Sequence, residues 1–144
     1  MKTNIKALAA IAFAALTLSL TSCSKDPEDL IIGTWNVESM TITNGSNTRT
    51  VNYGTDQFIT FTFNKDKSGT SVSTYNNRTY TSEFTYTVSD NQLIVTEKGE
   101  NHPQTLTIDE ISKKEATLSA TTTDEDEEDG KTVTIKETMK LKKA

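Results

Sequence analysis

The chain has 144 residues, a net charge of −5, 33% hydrophobic and 24% charged residues, one cysteine and one histidine. That length holds one domain, and an acidic domain repels phosphate backbones, which excludes nucleic acid as a partner. Lone Cys23 excludes an intramolecular disulfide and cysteine-cluster metal sites, and lone His102 removes most zinc-type and serine–histidine constellations. No metal and no cofactor is therefore expected.

The N-terminus reads as an export signal. Lys2 and Lys6 make a basic start, and "ALAAIAFAALTLSL" (Ala7–Leu20) is an apolar run of 14 residues. That is too short for a membrane span and right for the apolar region of a signal peptide. A core helix would carry a polar face, and this run offers only Thr17 and Ser19. If cleavage falls before Cys23, Ser22 is small but Leu20, at the third position back, is not.

"LTSC" (Leu20–Cys23) resembles the bacterial lipobox. The resemblance implies diacylglycerol on the Cys23 sulfur, cleavage before it, and acylation of the new amine. Each buried methylene contributes about 0.8 kcal/mol and two or more chains anchor firmly, so Cys23 is expected to be a membrane anchor rather than a nucleophile. "SKDPED" (Ser24–Asp29) is similar to the acidic tether of surface-exported lipoproteins of the Bacteroidota, with a plain solvated linker as the alternative. The expected divisions are a signal peptide at 1–22, lipidated Cys23 and tether at 23–29, and a domain at 30–144. The location implied is the outer membrane, facing the cell surface, with a periplasm-facing anchor as the alternative. All 20 acidic residues but only 13 of the 15 basic ones follow Ser22, which leaves 13 − 20 = −7 from Cys23 onward.

Asp26-Pro27-Glu28 places a capping Asp before a Pro at a first helical position, so "DPEDLIIG" predicts one or two helical turns stopped by Gly33. After Gly33 the period changes to two. Strands are predicted over Gly33–Thr43, Gln57–Phe63, Thr70–Tyr75, Arg78–Val88, Gln92–Lys98, Gln104–Glu110, Ala116–Thr122 and Lys131–Lys143. The alternation in the first is imperfect: Trp35, Val37, Ser39 and Thr41 share one face and Met40 and Ile42 the other, so a bulge near Ser39 fits. Eight antiparallel strands joined by short turns predict an all-β, up-and-down barrel, with a sandwich as the alternative.

"GTW" (Gly33–Trp35), entering the first strand after a short helix, resembles the Gly-X-Trp signature of lipocalins. The pattern "LIIGTW…TFTFNKDKSGT…FTYTVSDNQLIV…MKLKK" is similar to the lipocalin-like domains of bacterial lipoproteins. The resemblance implies that Trp35 plugs the closed base of the barrel and that a basic residue of the last strand, Lys140 or Lys142, packs over it. It also implies that "NGSNTRTVNYGTD" (Asn44–Asp56), with Arg49 and Tyr53, is a lid loop over the mouth.

Alternation along the strands places Phe61, Phe63, Val72, Phe84, Tyr86, Val88, Leu93, Ile108, Leu118, Met139 and Leu141 inside the base and middle. Toward the mouth hydroxyls mix with small apolar groups, and Ser39, Thr41, Tyr53, Ile59, Thr74, Tyr80, Ser82 and Glu137 are the candidate ligand-contacting residues. Glu137 breaks an apolar series; an inward carboxylate must be paired, wet or in contact with a cationic or hydroxylated ligand. Tyr53, Tyr75 and Tyr80 fall near the mouth.

"DEDEEDG" (Asp124–Gly130) fails the EF-hand pattern, because Gly130 comes one place late and Ile135 stands where the closing Glu belongs. No nucleophile spacing accompanies His102, so an enzyme has no constellation behind it. The expected function is a lipid-anchored module binding a small apolar or amphiphilic molecule, or a glycan. The alternative is a filled barrel serving as a protein-interaction or structural subunit of an envelope complex, with Met40, Ile42, Phe58 and Ile94 as its apolar wall.

Overall fold

A computed structural model describes residues 25–125 and 132–144. The expected signal peptide, Cys23 and most of the acidic Asp124–Gly130 loop lie outside the described residues.

Helix α1 spans Pro27–Ile31. Asp26 precedes it as expected, but its side chain makes no capping bond. Its carbonyl instead accepts from the Asp29 and Leu30 amides at 2.9 and 3.0 Å. Pro27, whose fixed φ suits a first turn, starts the helix. The strands are β1 (Gly33–Asn44), β2 (Asn47–Asn52), β3 (Ile59–Phe63), β4 (Ser68–Tyr75), β5 (Arg78–Ser89), β6 (Gln92–Glu97), β7 (Gln104–Ile111), β8 (Glu115–Glu125) and β9 (Thr132–Lys143).

Every pairing is antiparallel, and β1 pairs with β9, closing the sheet into a barrel. That closure excludes the sandwich. The nine segments fill eight positions. β3 pairs with β1 at Gly33–Asn36 and β2 pairs with it at Ser39–Asn44, so β2 and β3 are two parts of one strand interrupted by residues 53–58. The expected lid loop Asn44–Asp56 is therefore mostly wall: β2 turns back from β1 and extends the barrel upward.

Two bulges re-aim side chains. In β1, Val37 lies opposite Leu141 but Ser39 lies opposite Lys140, so Glu38 is an extra residue. In β7, Asp109 is the extra residue between Ile108 and Glu110. Past a bulge, the alternation of faces reverses.

The core sits at the base. Trp35, Ile31, Tyr86, Leu93, Leu118 and Leu141 are fully buried. The Trp35 indole N–H donates to the Ile31 carbonyl at 2.7 Å, which fastens α1 beneath the barrel. Phe63 meets Phe84 and Tyr86 edge-on, with centroids 5.3 and 5.0 Å apart, an arrangement that adds to plain burial. The Tyr86 hydroxyl donates to the Asn64 carbonyl at 2.6 Å, and burial raises its pKa.

The basic partner of Trp35 is Lys143, a correction to the expected Lys140 or Lys142. Its Nζ lies 4.8 Å from the indole centroid and donates to the Leu30 carbonyl at 3.1 Å. Burial, then the charge of Lys25, lowers its pKa. Lys140 and Lys142 are exposed, and Lys142 instead reaches Glu38 at 3.9 Å. The β9 alternation separates them: Leu141 points in and Lys143, opposite Trp35, is in phase with it, so Lys140 and Lys142 point out. Gly33 has φ +125°, and a Cβ there would come within 2.7 Å of the Lys143 side chain, so the glycine of the signature makes room for the cation.

Candidate functional site

Above the core the barrel is hollow. A cavity of about 880 Å³ opens at the mouth. An eight-stranded barrel is normally just wide enough for its own side chains to fill, so the space needs a cause. It lies in β4. The inward residues opposite Phe63, Phe61 and Ile59 are Gly69, Ser71 and Ser73, small groups where the other strands carry large ones. The Phe84 ring occupies the space over Gly69, where a Cβ would come within 2.2 Å of the ring. Ser71 and Ser82 face each other with hydroxyls 2.9 Å apart on the cavity wall.

Phe61, Phe63, Phe84, Leu93, Leu118 and Met139 form an apolar floor, and Val95, Leu106 and Ala120 continue it upward. Glu97, Glu100, His102, Gln104 and Glu137 make the rim polar. The wall is uneven. β8 and β9 stay paired up to Glu125 and Thr132, whereas β6 ends at Glu97 and β7 begins at Gln104. The low side, over the 98–103 loop, is the wider entrance.

Two of the eight expected mouth residues, Ser82 and Glu137, line the cavity. Tyr53 and Ile59 point inward and pack against the core. Tyr80 lies on the inner face of β5 opposite Ser73 and is 55% exposed at the rim. Tyr75 is 57% exposed on the same inner face.

Ser39, Thr41 and Thr74 point outward, which corrects the expectation. The Glu38 bulge turns Ser39 and Thr41 out and brings Met40 and Ile42, assigned to the outer wall, to the inner face. Met40 lies opposite Met139 and lines the cavity, and Ile42 lies opposite Glu137. Thr41 instead bonds Thr50 at 3.0 Å across the outer face. Thr74 bonds Thr79 at 3.3 Å outside, and Val72, expected in the core, shares that outer face between Thr60 and Thr81.

Glu97, Glu100, His102 and Ser71 join the cavity although they were not expected there. Glu97 is in phase with Leu93 and Val95 along β6 and lies opposite Phe84, so strict alternation carries the signal for it. Ser71 depends on the β3–β4 register, which the hairpin sets: Lys67 has φ +70° and Asp66 accepts from the Ser68 amide at 3.0 Å. Glu100 and His102 sit in a loop, where periodicity carries no information.

Among the described residues no cluster of three or more His, Cys, Asp or Glu side chains is placed to hold a metal ion. Among the same residues no helix is long and apolar enough to cross a membrane.

Residues 31–119 match the model of a family described as a lipocalin-like domain. A lipocalin-like protein from Bacteroides uniformis is similar in structure, with a TM-score of 0.55, 12% identity, and coverage of 80% of this chain and 99% of its own. An uncharacterized protein from Bacteroides eggerthii has a TM-score of 0.51 at 12% identity, covering 78% of this chain and 98% of its own. At that identity the two structures bear on the fold alone. A search of curated proteins finds no match.

Proposed function

The chain belongs to the lipocalin-like domain family, and from that premise we propose that it is a binding module anchored in the outer membrane through Cys23 and facing the cell surface. Its barrel holds a small apolar or amphiphilic molecule in the open cavity. The observation that carries this reading is the cavity: about 880 Å³ over an apolar floor with a polar rim, within the roughly 300–1,000 Å³ of small-molecule sites. The lipobox at Leu20–Cys23 supports the anchor, and the acidic residues from Asp26 onward support a solvated tether.

Binding is tested by titrating residues 25–144 with a neutral naphthylamine fluorophore. These residues include every buried side chain among those described, in one closed barrel. Saturable uptake at one site, lost in Ala120→Phe, is the expected result. Equal uptake by the variant, or none by either protein, contradicts it. Anchoring is tested by Cys23→Ala, which should keep the signal peptide and lose the acyl mass. Protease accessibility on intact cells reports which way the domain faces.

If nothing binds, the envelope-subunit reading moves forward. It has one observation in its favour: among the described residues β2 pairs with β1 alone, and an edge of that kind can pair with a partner strand.

A further inference from the structure

We infer that the ligand of this cavity is a positively charged amphiphile: an amine or quaternary ammonium carried on an alkyl chain or apolar ring. The inference rests on the reading of the cavity as a ligand site and adds its chemical class.

The cavity walls are apolar or hydroxylated except at the rim, where, among the described residues, Glu97, Glu100 and Glu137 are the acidic lining residues and no lysine or arginine lines it. Glu97 points in from β6 opposite Phe84, and Glu137 points in from β9 opposite Ala120 and Ile42. The two therefore reach the mouth from strands three places apart. Each occupies an inward position in a series of apolar residues, where an acid adds nothing to packing. A carboxylate at the edge of an apolar cavity acts through a lower dielectric than one on the open surface, and an acidic domain draws cations toward such a mouth.

Two arginines share the inner face. Arg49 lies opposite Ile42 on β2, and Arg78 lies opposite Tyr75 at the tip of the β4–β5 hairpin. Neither borders the cavity. Arg78 stands six residues beyond Phe84 along β5, roughly 20 Å at the rise of a strand. Arg49 shares an inner rung with Glu137, with Ile42 between them, but the acidic groups that border the cavity, and so face a head placed above the apolar floor, are the three carboxylates. A bare metal ion is not the cation implied, since among the described residues no three ligating side chains converge. An organic cation whose apolar part fills the floor satisfies both halves of the site.

The test uses residues 25–144 and three ligands of one chain length below their micelle concentrations: decyltrimethylammonium, decanol and decanoate. Each displaces the neutral fluorophore at low salt, with circular dichroism confirming that the barrel stays folded. The expected order is ammonium, then decanol, then decanoate, with the ammonium bound on the order of tenfold more tightly than decanol. Glu97→Gln plus Glu137→Gln should bring the ammonium to the decanol value without moving decanol, and 0.5 M salt should do the same. Glu110→Gln, an exposed acid outside the cavity, should change nothing.

Decanol and decanoate binding as tightly as the ammonium would overturn the inference and leave the ligand site standing. So would an equal loss of ammonium binding in Glu110→Gln, which would reveal attraction to the surface at large. Binding of none of the three removes the ligand-site reading itself, and this inference with it.

Discussion

The base and the mouth of this barrel are made from the same strands by opposite rules. At the base the inward positions are filled and closed over: Trp35 is fully buried, its N–H is satisfied by Ile31, and Lys143 covers its ring. At the mouth small and acidic residues enter the inner face, Ser71, Ser82, Ala120, Glu97 and Glu137, and the wall drops away at β6–β7. The difference teaches that one strand, β4, decides the hollow. The Phe84 ring fills the space over Gly69, but the small Ser71 and Ser73 above it leave volume that their neighbours do not fill, and the base then carries the stability that the mouth gives up.

The largest test of that division removes the plug. Trp35→Ala should cost about 3–5 kcal/mol, enough to unfold much of the population of a marginally stable domain, as read by chemical denaturation. Gly69→Ala comes next. A Cβ 2.2 Å from the Phe84 ring must push it aside, at a cost of about 1–3 kcal/mol. Phe84→Leu in the same chain should return part of that loss, which identifies the clash as its cause.

The base cation is a smaller effect. Lys143→Ala should lose about 0.5–2 kcal/mol through its indole contact, while Lys140→Ala and Lys142→Ala should each stay within about 0.5 kcal/mol of the parent. Equal losses at all three would contradict the assignment of Lys143. At the mouth, Glu137→Gln should leave stability within about 0.5 kcal/mol and show its effect only in ligand selectivity.

The smallest effect is on pH. Asp66, bonded to Ser68, and Glu83, bonded to Lys98, have lowered pKa values. Their stabilisation is present above the usual carboxylate range near pH 4 and is lost as pH falls through the lowered values. Lys67 and Lys98 have raised pKa values, through Glu28 and Glu83 respectively. Their stabilisation is present below about pH 10.4 and is lost as pH rises through the raised values. Denaturation midpoints should therefore fall at both extremes, and Glu83→Gln should flatten both limbs slightly.

The strands were legible in the sequence where alternation is unbroken, as in β5 with Tyr80, Ser82, Phe84, Tyr86 and Val88, and the short turns between eight of them favoured a barrel over a sandwich. Trp35 as the base plug came from the resemblance of Gly33–Trp35 to the Gly-X-Trp signature, and its full burial agrees with it. The faces of β1 and β4 were not legible. In β1 the imperfect alternation marks a bulge near Ser39, and the structure places it at Glu38; the faces of Ser39, Thr41, Met40 and Ile42 came out reversed because the expected alternation ran through the bulge unchanged. In β4 Val72 is the one apolar residue and suggests the wrong face; the true face follows from the register that the Asn64–Ser68 turn imposes. Lys143 was within reach of the alternation, in phase with Met139 and Leu141 and opposite Trp35, but the resemblance was carried onto Lys140 and Lys142, which face outward. Glu97 was within reach, in phase with Leu93 and Val95, but acidity argued against an inward position.

The most direct test of the hollow mouth is native mass spectrometry of the protein purified gently from its own host, beside Ala120→Phe. The account predicts a retained small-molecule mass on the parent and a bare mass for the variant. A bare parent that also takes up no added amphiphile would contradict it, and the barrel would then be a closed wall whose function lies on its outer surface.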